Sequence, residues 1–307
     1  MNARRLRCSI SLGMLLLGTA GFAAASVATI GARPVVVIPI EGTVDEGMSH
    51  LVQRSVEQAN ADGAPAIVLD INSPGGLVDS AFSIRDALFA AREPVVAYVD
   101  GRAYSAAALI ALSANRIVMK PGASIGAAEP IPATAKMISA LRGEFESTAL
   151  RNHRSPAIAG AMVDKTVDLP EYKGTGAILT LDTDDAVRAH VADATAPTLD
   201  AALAQSSLAG SPRSVQAYTW GENLARFATS PQVSALLLTL GMLGLLIEMQ
   251  TLHGIAGVIG VGALLLFFGT HVYAGFSNSL VLVLAAAGIF GILWELHVVP
   301  GHAIPGA

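Results

Sequence analysis

The stretch "DINSPGGLVDSAFSIRDAL", Asp70 to Leu88, decides the fold. It opens on the end of an apolar run, "AIVLD" from Ala66 to Asp70, with the composition of a buried strand. That strand is expected to break at Pro74-Gly75-Gly76, where a helical pattern takes over from Val78 to Ala91. A strand that hands over directly to a helix exposes backbone N–H groups, and these attract negative charge. The charge is either a phosphate brought by a ligand or an oxyanion formed in a reaction. Neither G-x-G-x-x-G nor G-K-S/T occurs in "SPGGLVDS", which disfavours phosphate. An oxyanion hole and a plain tight turn remain.

The same alternation extends on both sides. "PVVVIPI" reads as a strand, "EGMSHLVQRSVEQANADG" as an amphipathic helix, "PVVAYVD" as a strand and "SAAALIALSAN" as a buried helix. "RIVMKPGASIGAA" is a short strand entering a glycine-rich loop. "AKMISALRGEFESTALRNH" and "AIAGAMVDKTV" follow as helices, and "GAILTLDTDDAVRAHVADA" as a strand and short helix. This succession predicts α/β architecture with parallel, covered strands from about residue 33 to 204. Residues 205–231, with Ser, Gly and Pro, read as a linker in which Trp220 is an interface aromatic. From 232 to 307 the chain turns apolar, and Val233–Ile247, Ile255–Thr270 and Leu280–Val299 predict about three transmembrane helices. The first two fall short of the roughly 20 residues of a full crossing, so a re-entrant hairpin plus one span is the alternative. Gly254, Gly257, Gly260 and Gly262 suit close helix packing. Glu248 and Glu295 are read as interfacial acids held by polar neighbours.

Composition agrees with a membrane protein: 52% of the 307 residues are hydrophobic, 14% are charged, and mean hydropathy is +0.55. A net charge of −5 gives no field for nucleic acid. The single cysteine, Cys8, excludes a disulfide framework, and the 7 histidines form no HExxH pair, so neither metal nor cofactor is expected. Residues 1–28 combine Arg4, Arg5 and Arg7, an apolar run from Ile10 to Leu17, and small residues at Ala23-Ala24-Ala25 and Ser26-Val27-Ala28. They read as a signal peptide or a retained N-terminal anchor. Either places the following domain on the extracytoplasmic side of a multi-pass membrane protein. No Lys or Arg follows Arg226, so the spans carry no orienting charge of their own.

Ser105 stands where "PVVAYVDGRAY" meets the small-residue helix. A serine there is ordinarily an N-cap, but a strand-to-helix turn also presents a nucleophile clear of the sheet. A serine hydroxyl needs a base. His153 and His190 lie outside any comparable motif, which leaves a lysine. The lysines are Lys120, beside Pro121-Gly122, then Lys136, Lys165 and Lys173. Lys136 follows the loop "GASIGAAEPIPAT" next to Met137 and Ile138, where apolar surroundings would favour the uncharged amine that a base requires. A solvated first-turn lysine is the competing reading.

These residues resemble the NfeD family, membrane-bound serine proteases of the ClpP class. The resemblance rests on "LDINSPGGLVDSAFSIRDAL", "PVVAYVDGRAYSAAALIALSANRIVMKPGASIGAAEPI" and "LLLTLGMLGLLIEMQTLHGIAGVIG". It implies a ClpP/crotonase-like superhelix of strand-strand-helix units followed by α-helical transmembrane segments. By position it implies Ser105 as nucleophile, Lys136 as its dyad partner, and Gly75 with Gly76 as the oxyanion glycines. It further implies a homodimer, and a stomatin- or prohibitin-like (SPFH) membrane protein, cut in hydrophobic segments, as substrate or partner beside the membrane lipid. Tyr104 departs from the pattern, standing where a small residue is usual, and is expected to crowd the nucleophile or narrow a substrate pocket. Longer members carry a further soluble C-terminal domain, expected to be absent from this chain. The leading expectation is therefore a Ser-Lys endopeptidase. A catalytically impaired scaffold of the same fold is the alternative, and an acyl-CoA enzyme of the related crotonase fold a third reading, disfavoured by export.

Overall fold

The computed structural model describes residues 33–291 apart from 173, 175, 252, 274–279, 281–282 and 289. The expected signal or anchor, Lys173 and Glu295 lie outside the described residues.

Three strand–helix units follow one another: β1 (Val35–Val44) with α1 (Glu46–Asp62), β2 (Ile67–Gly76) with α2 (Val78–Phe89), and β3 (Val95–Tyr104) with α3 (Ala106–Leu112). Helix α1 starts because Asp45 accepts the Met48 N–H at 2.9 Å, and stops at Gly63, whose φ of 59° few other residues tolerate. Its spacing of Met48, Leu51, Val52, Val56 and Ala59 buries one stripe against the sheet. The strands β1, β2 and β3 pair in parallel, with Val36 opposite Ile67 and Ile67 opposite Val95. Alternate residues feed opposite faces. Ile38, Ile40, Leu69, Ile71, Ala97 and Val99 join the larger core, in which α3 is wholly buried, whereas Val37, Val68, Val96 and Tyr98 face Ala202 and Leu203 of α7 (Leu199–Gln205). Full burial of such aliphatic side chains contributes roughly 1.5–3 kcal/mol apiece, and this supplies the main drive to fold.

Beyond α3 come β4 (Arg116–Met119) and β5 (Ser124–Gly126), which pair in turn with the first and last parts of β3. Then follow α4 (Ala135–Arg151), α5 (Pro156–Ala161), β6 (Thr180–Asp182), α6 (Thr183–Arg188) and β7 (Ala194–Thr195). Buried Arg154 ties this region together, donating to the carbonyls of Val191 at 3.0 Å and Ala114 at 2.8 Å.

The structure departs from the sequence reading in four places. Strand β2 does not break before the glycines. Beside Gly42 (φ 73°) the β1–β2 register shifts, and the ladder resumes with Thr43 opposite Gly75 and Val44 opposite Gly76. The sheet is not all parallel, since β6 runs antiparallel to β5, itself a strand inside the expected glycine-rich loop. Residues 205–231 are not a bare linker. Strand β8 (Arg213–Val215) extends the sheet beside β1, and α8 (Trp220–Ala228) is set by a capping box in which Thr219 and Glu222 satisfy each other's backbone N–H. Finally, α9 (Pro231–Thr251) and α10 (Ile255–Tyr273), at 21 and 19 residues, are longer than their expected counterparts and long enough to cross a bilayer. Of the third expected span, residues 280, 283–288 and 290–291 are helical and the remainder lies outside the described residues.

Candidate active site

Ser105 occupies the turn between β3 and α3 with φ 54° and ψ −122°. A non-glycine residue in that region costs about 1–3 kcal/mol, and it persists only where its surroundings hold it. Here the Ser105 N–H donates to the Gly126 carbonyl at 2.8 Å, and the Ser105 carbonyl accepts from Ala108 N–H at 2.9 Å. Although Ser105 sits at the N-cap, its side chain makes no capping hydrogen bond. The hydroxyl is therefore not spent on starting the helix. A strained strand-to-helix turn with an uncommitted hydroxyl is the geometry of a nucleophile elbow.

Gly75 lies directly against this serine. A Cβ added there would stand 2.6 Å from Ser105 Cβ and 2.7 Å from the Tyr104 carbonyl oxygen, and its φ of 99° independently favours glycine. A Cβ on Gly76 would collide with the Val44 backbone. The two glycines thus have separate causes: Gly75 makes room for Ser105, and Gly76 makes room for β1. The Gly75 N–H donates to Ser73 Oγ at 3.1 Å, and the Ser73 hydroxyl donates to the Gly42 carbonyl at 2.6 Å. Ser73 is a site residue that the sequence reading missed, because its inward position gives it the pattern of a core residue.

Tyr104 is half-buried, and its phenol hydrogen-bonds Ser124 Oγ at 2.7 Å. This tether fixes the side chain against β5. Lys136 stands in the first turn of α4, whose cap is Thr134, and is exposed. The expected apolar seclusion of Lys136 is absent here, since the whole segment 131–137 faces solvent. Lys136 instead lines a cavity of about 360 Å³ whose apolar wall includes Leu77, Val78, Phe82, Met137 and Leu141. Leu77 is the residue after Gly76, so the glycine turn leads directly into this cavity, whose described lining includes neither Ser105 nor Gly75. Among the described residues Ser105 and Lys136 share no hydrogen bond. Lys120 is committed elsewhere, its Nζ 2.7 Å from Asp100, and Lys165 pairs with Glu129 at 3.2 Å.

Two charged groups behind the cleft were also not singled out. Arg226 of α8 pairs with Asp45 at 3.3 Å and donates to the carbonyls of Glu41 at 3.3 Å and Thr43 at 3.4 Å. Burial raises the carboxyl pKa of Asp45, with the Arg226 charge opposing. Burial likewise pushes the Tyr218 phenol, stacked under Arg226, up to about 12. Arg226 therefore braces the β1 segment that pairs with Gly75 and Gly76.

This class of fold, a mostly parallel α/β sheet covered by helices, has solved counterparts. The structure of the 1510-N membrane-bound stomatin-specific protease, as a serine-to-alanine mutant, matches with a TM-score of 0.55 at 23% identity, covering 62% of this chain and 100% of that one. The same protease from Pyrococcus horikoshii, described as specific for a stomatin homolog, matches with a TM-score of 0.52 at 24% identity over 64% and 99% of the two chains. These likenesses establish the fold. In sequence, residues 34–214 match the NfeD1b N-terminal domain and residues 232–307 the NfeD integral membrane domain. The chain belongs to the NfeD family and carries its membrane domain. It is 37% identical over 279 residues to membrane protein NfeD1b of Bacillus subtilis, covering 89% of this chain and 64% of that protein. With the membrane-bound protease PH1510 of Pyrococcus horikoshii it shares 26% identity, covering 84% and 63% of the two chains. The chain thus spans less than two thirds of the length of these curated relatives.

Proposed function

We propose that this protein is a membrane-bound serine endopeptidase acting through Ser105 and Lys136. The observation that carries the proposal is Ser105 itself, strained at φ 54° with a hydroxyl that caps nothing. In this reading Ser105 Oγ attacks a peptide carbonyl, and unprotonated Lys136 takes the hydroxyl proton and passes it to the leaving amine. The alkoxide is received by backbone N–H groups of Gly75 and Gly76. Gly75 can contribute only if its N–H leaves Ser73, a shift that a bound substrate would drive. A peptide laid in the cleft would also cover exposed Lys136 and supply the missing seclusion. The apolar wall of Leu77, Val78, Phe82 and Met137 suits hydrophobic segments, and the similarity to a stomatin-specific protease supports a stomatin-like membrane protein as the substrate. The export-type N-terminus supports an extracytoplasmic site.

The test is cleavage of a hydrophobic peptide by the full chain in lipid nanodiscs. Ser105→Ala and Lys136→Ala are each expected to lower kcat/KM by on the order of a thousandfold with the fold intact. Undiminished turnover by Ser105→Ala refutes the nucleophile. A second reading, a scaffold that binds but does not cut, is favoured by the absence of a Ser105–Lys136 hydrogen bond. A fluorophosphonate probe separates the two, because only the enzyme acylates at Ser105.

A further inference from the structure

Helix α8 ends at Ala228, and only Thr229 and Ser230 separate it from α9. Its inward side carries buried Glu222, Ala225 and Ala228. Its outward side carries Trp220, 80% exposed, Asn223, and Phe227, 63% exposed, at helical spacing. A helix facing water places polar residues there, and two large aromatics in such a stripe are an unpartnered apolar surface.

The position of that stripe identifies what covers it. Helices α9 and α10 form an antiparallel pair, and Ser234 near the start of α9 hydrogen-bonds His271 near the end of α10 at 3.0 Å. Both therefore mark the membrane boundary nearest the α/β domain. Tyr273, the last residue of α10, is 42% exposed and meets His50 of α1 edge-on at 5.6 Å. Helix α8 packs against α1, α9 and α10, at this same level. Aromatic side chains at the ends of spanning helices settle among lipid headgroups, and an amphipathic helix there lies in the interface plane. We infer that the Trp220–Phe227 face of α8 is buried in the lipid interface, so that α8 docks the α/β domain onto the bilayer surface. Because Arg226 on the same helix holds the backbone of Glu41 and Thr43, the docked helix also fixes the height of the cleft above the membrane. This inference rests on α8 and the helices it packs against, and it stands or falls independently of peptide cleavage.

The chain contains 2 tryptophans, Trp220 and Trp294, so Trp294→Phe leaves Trp220 as the sole emitter. The full chain, one copy per nanodisc of phosphatidylcholine with phosphatidylglycerol, is titrated with lipid brominated near the headgroup and separately with aqueous iodide. Brominated lipid is expected to cut Trp220 emission at least about twofold, with iodide changing it by less than about a tenth. Stronger quenching by iodide than by brominated lipid overturns the inference, because the face is then in water. Shielding that appears only with two copies per disc also overturns it, because a second chain is then the cover. Should Trp294→Phe fail to fold, a bimane label on Asn223→Cys in a Cys8→Ser background gives the same comparison.

Discussion

The α/β domain and the α9–α10 hairpin both use glycine where two backbones must nearly touch, but for different ends. Gly75 sits 2.6 Å, measured from an added Cβ, from the Cβ of one serine, and its φ of 99° makes the position costly for any other residue. In the hairpin, an added Cβ on Gly244 would lie 2.7 Å from Gly260 Cα, and one on Gly260 would lie 2.9 Å from the Gly241 carbonyl oxygen, both at ordinary helical φ. The first is a local fit that aims a hydroxyl. The second is a seam that lets two helices approach where lipid offers no hydrophobic drive to pack them. Substitution should separate these roles cleanly.

The largest effect is expected from Gly75→Ala. The new methyl meets Ser105 and the Tyr104 carbonyl, neither of which can retreat without moving the β3–α3 turn. Labelling of Ser105 by a fluorophosphonate should fall more than about a hundredfold, with the α9–α10 pair undisturbed. Labelling at the wild-type rate would show that the close approach is incidental to the site.

Gly244→Leu probes the other side. A leucine there is forced against Ala256 and Gly260 and should destabilise the hairpin by about 3 kcal/mol, at the upper part of the overpacking range. A cysteine pair bridging residues 234 and 271 would report loss of the helix contact, while fluorophosphonate labelling of Ser105 in the same full chain should hold. A parallel loss of labelling would mean that the hairpin is part of the site.

The contrast also explains what the sequence made legible. The strand–helix alternation, the Ser105 turn and the packing of Gly257 and Gly260 were readable because each is a local pattern: periodicity, a junction, a run of small residues. Of the four hairpin glycines expected to pack, Gly254 and Gly262 meet nothing within 4 Å, and the partners Gly241 and Gly244 were not singled out. Which face of a helix meets its neighbour depends on a crossing geometry that no single helix encodes. The same limit hid the continuation of β2 through Gly76, which depends on a register shift in β1. It also hid β8, whose three residues are a strand only because β1 offers them an edge.

The two regions also differ in how they keep a carboxylate, and this yields the smaller effects. Glu248, 2% exposed, accepts from the N–H groups of Gly254 at 2.6 Å and Gly257 at 3.0 Å, which satisfies the first turn of α10 as the polar-neighbour reading expected. Glu248→Ala leaves those donors bare and should cost about 2 kcal/mol of hairpin stability. Asp70 has no such cradle. On β2 it is half-buried near Asp100 and Glu41, with only Lys120 opposing, and burial first and those acids second push its pKa up to about 6. Its ordinary value is about 3.9, so between about pH 4 and 6 the folded state holds the proton more tightly than the unfolded chain. Stability from this group is full below that window and falls as pH rises through it. Asp70→Asn should therefore leave thermal unfolding of the α/β domain unchanged near pH 4 and stabilise it by on the order of 1 kcal/mol above pH 7, after allowance for solvent screening. A variant-minus-wild-type difference that stays flat across that window would show that Asp70 is as well held in the sheet as Glu248 is in the hairpin.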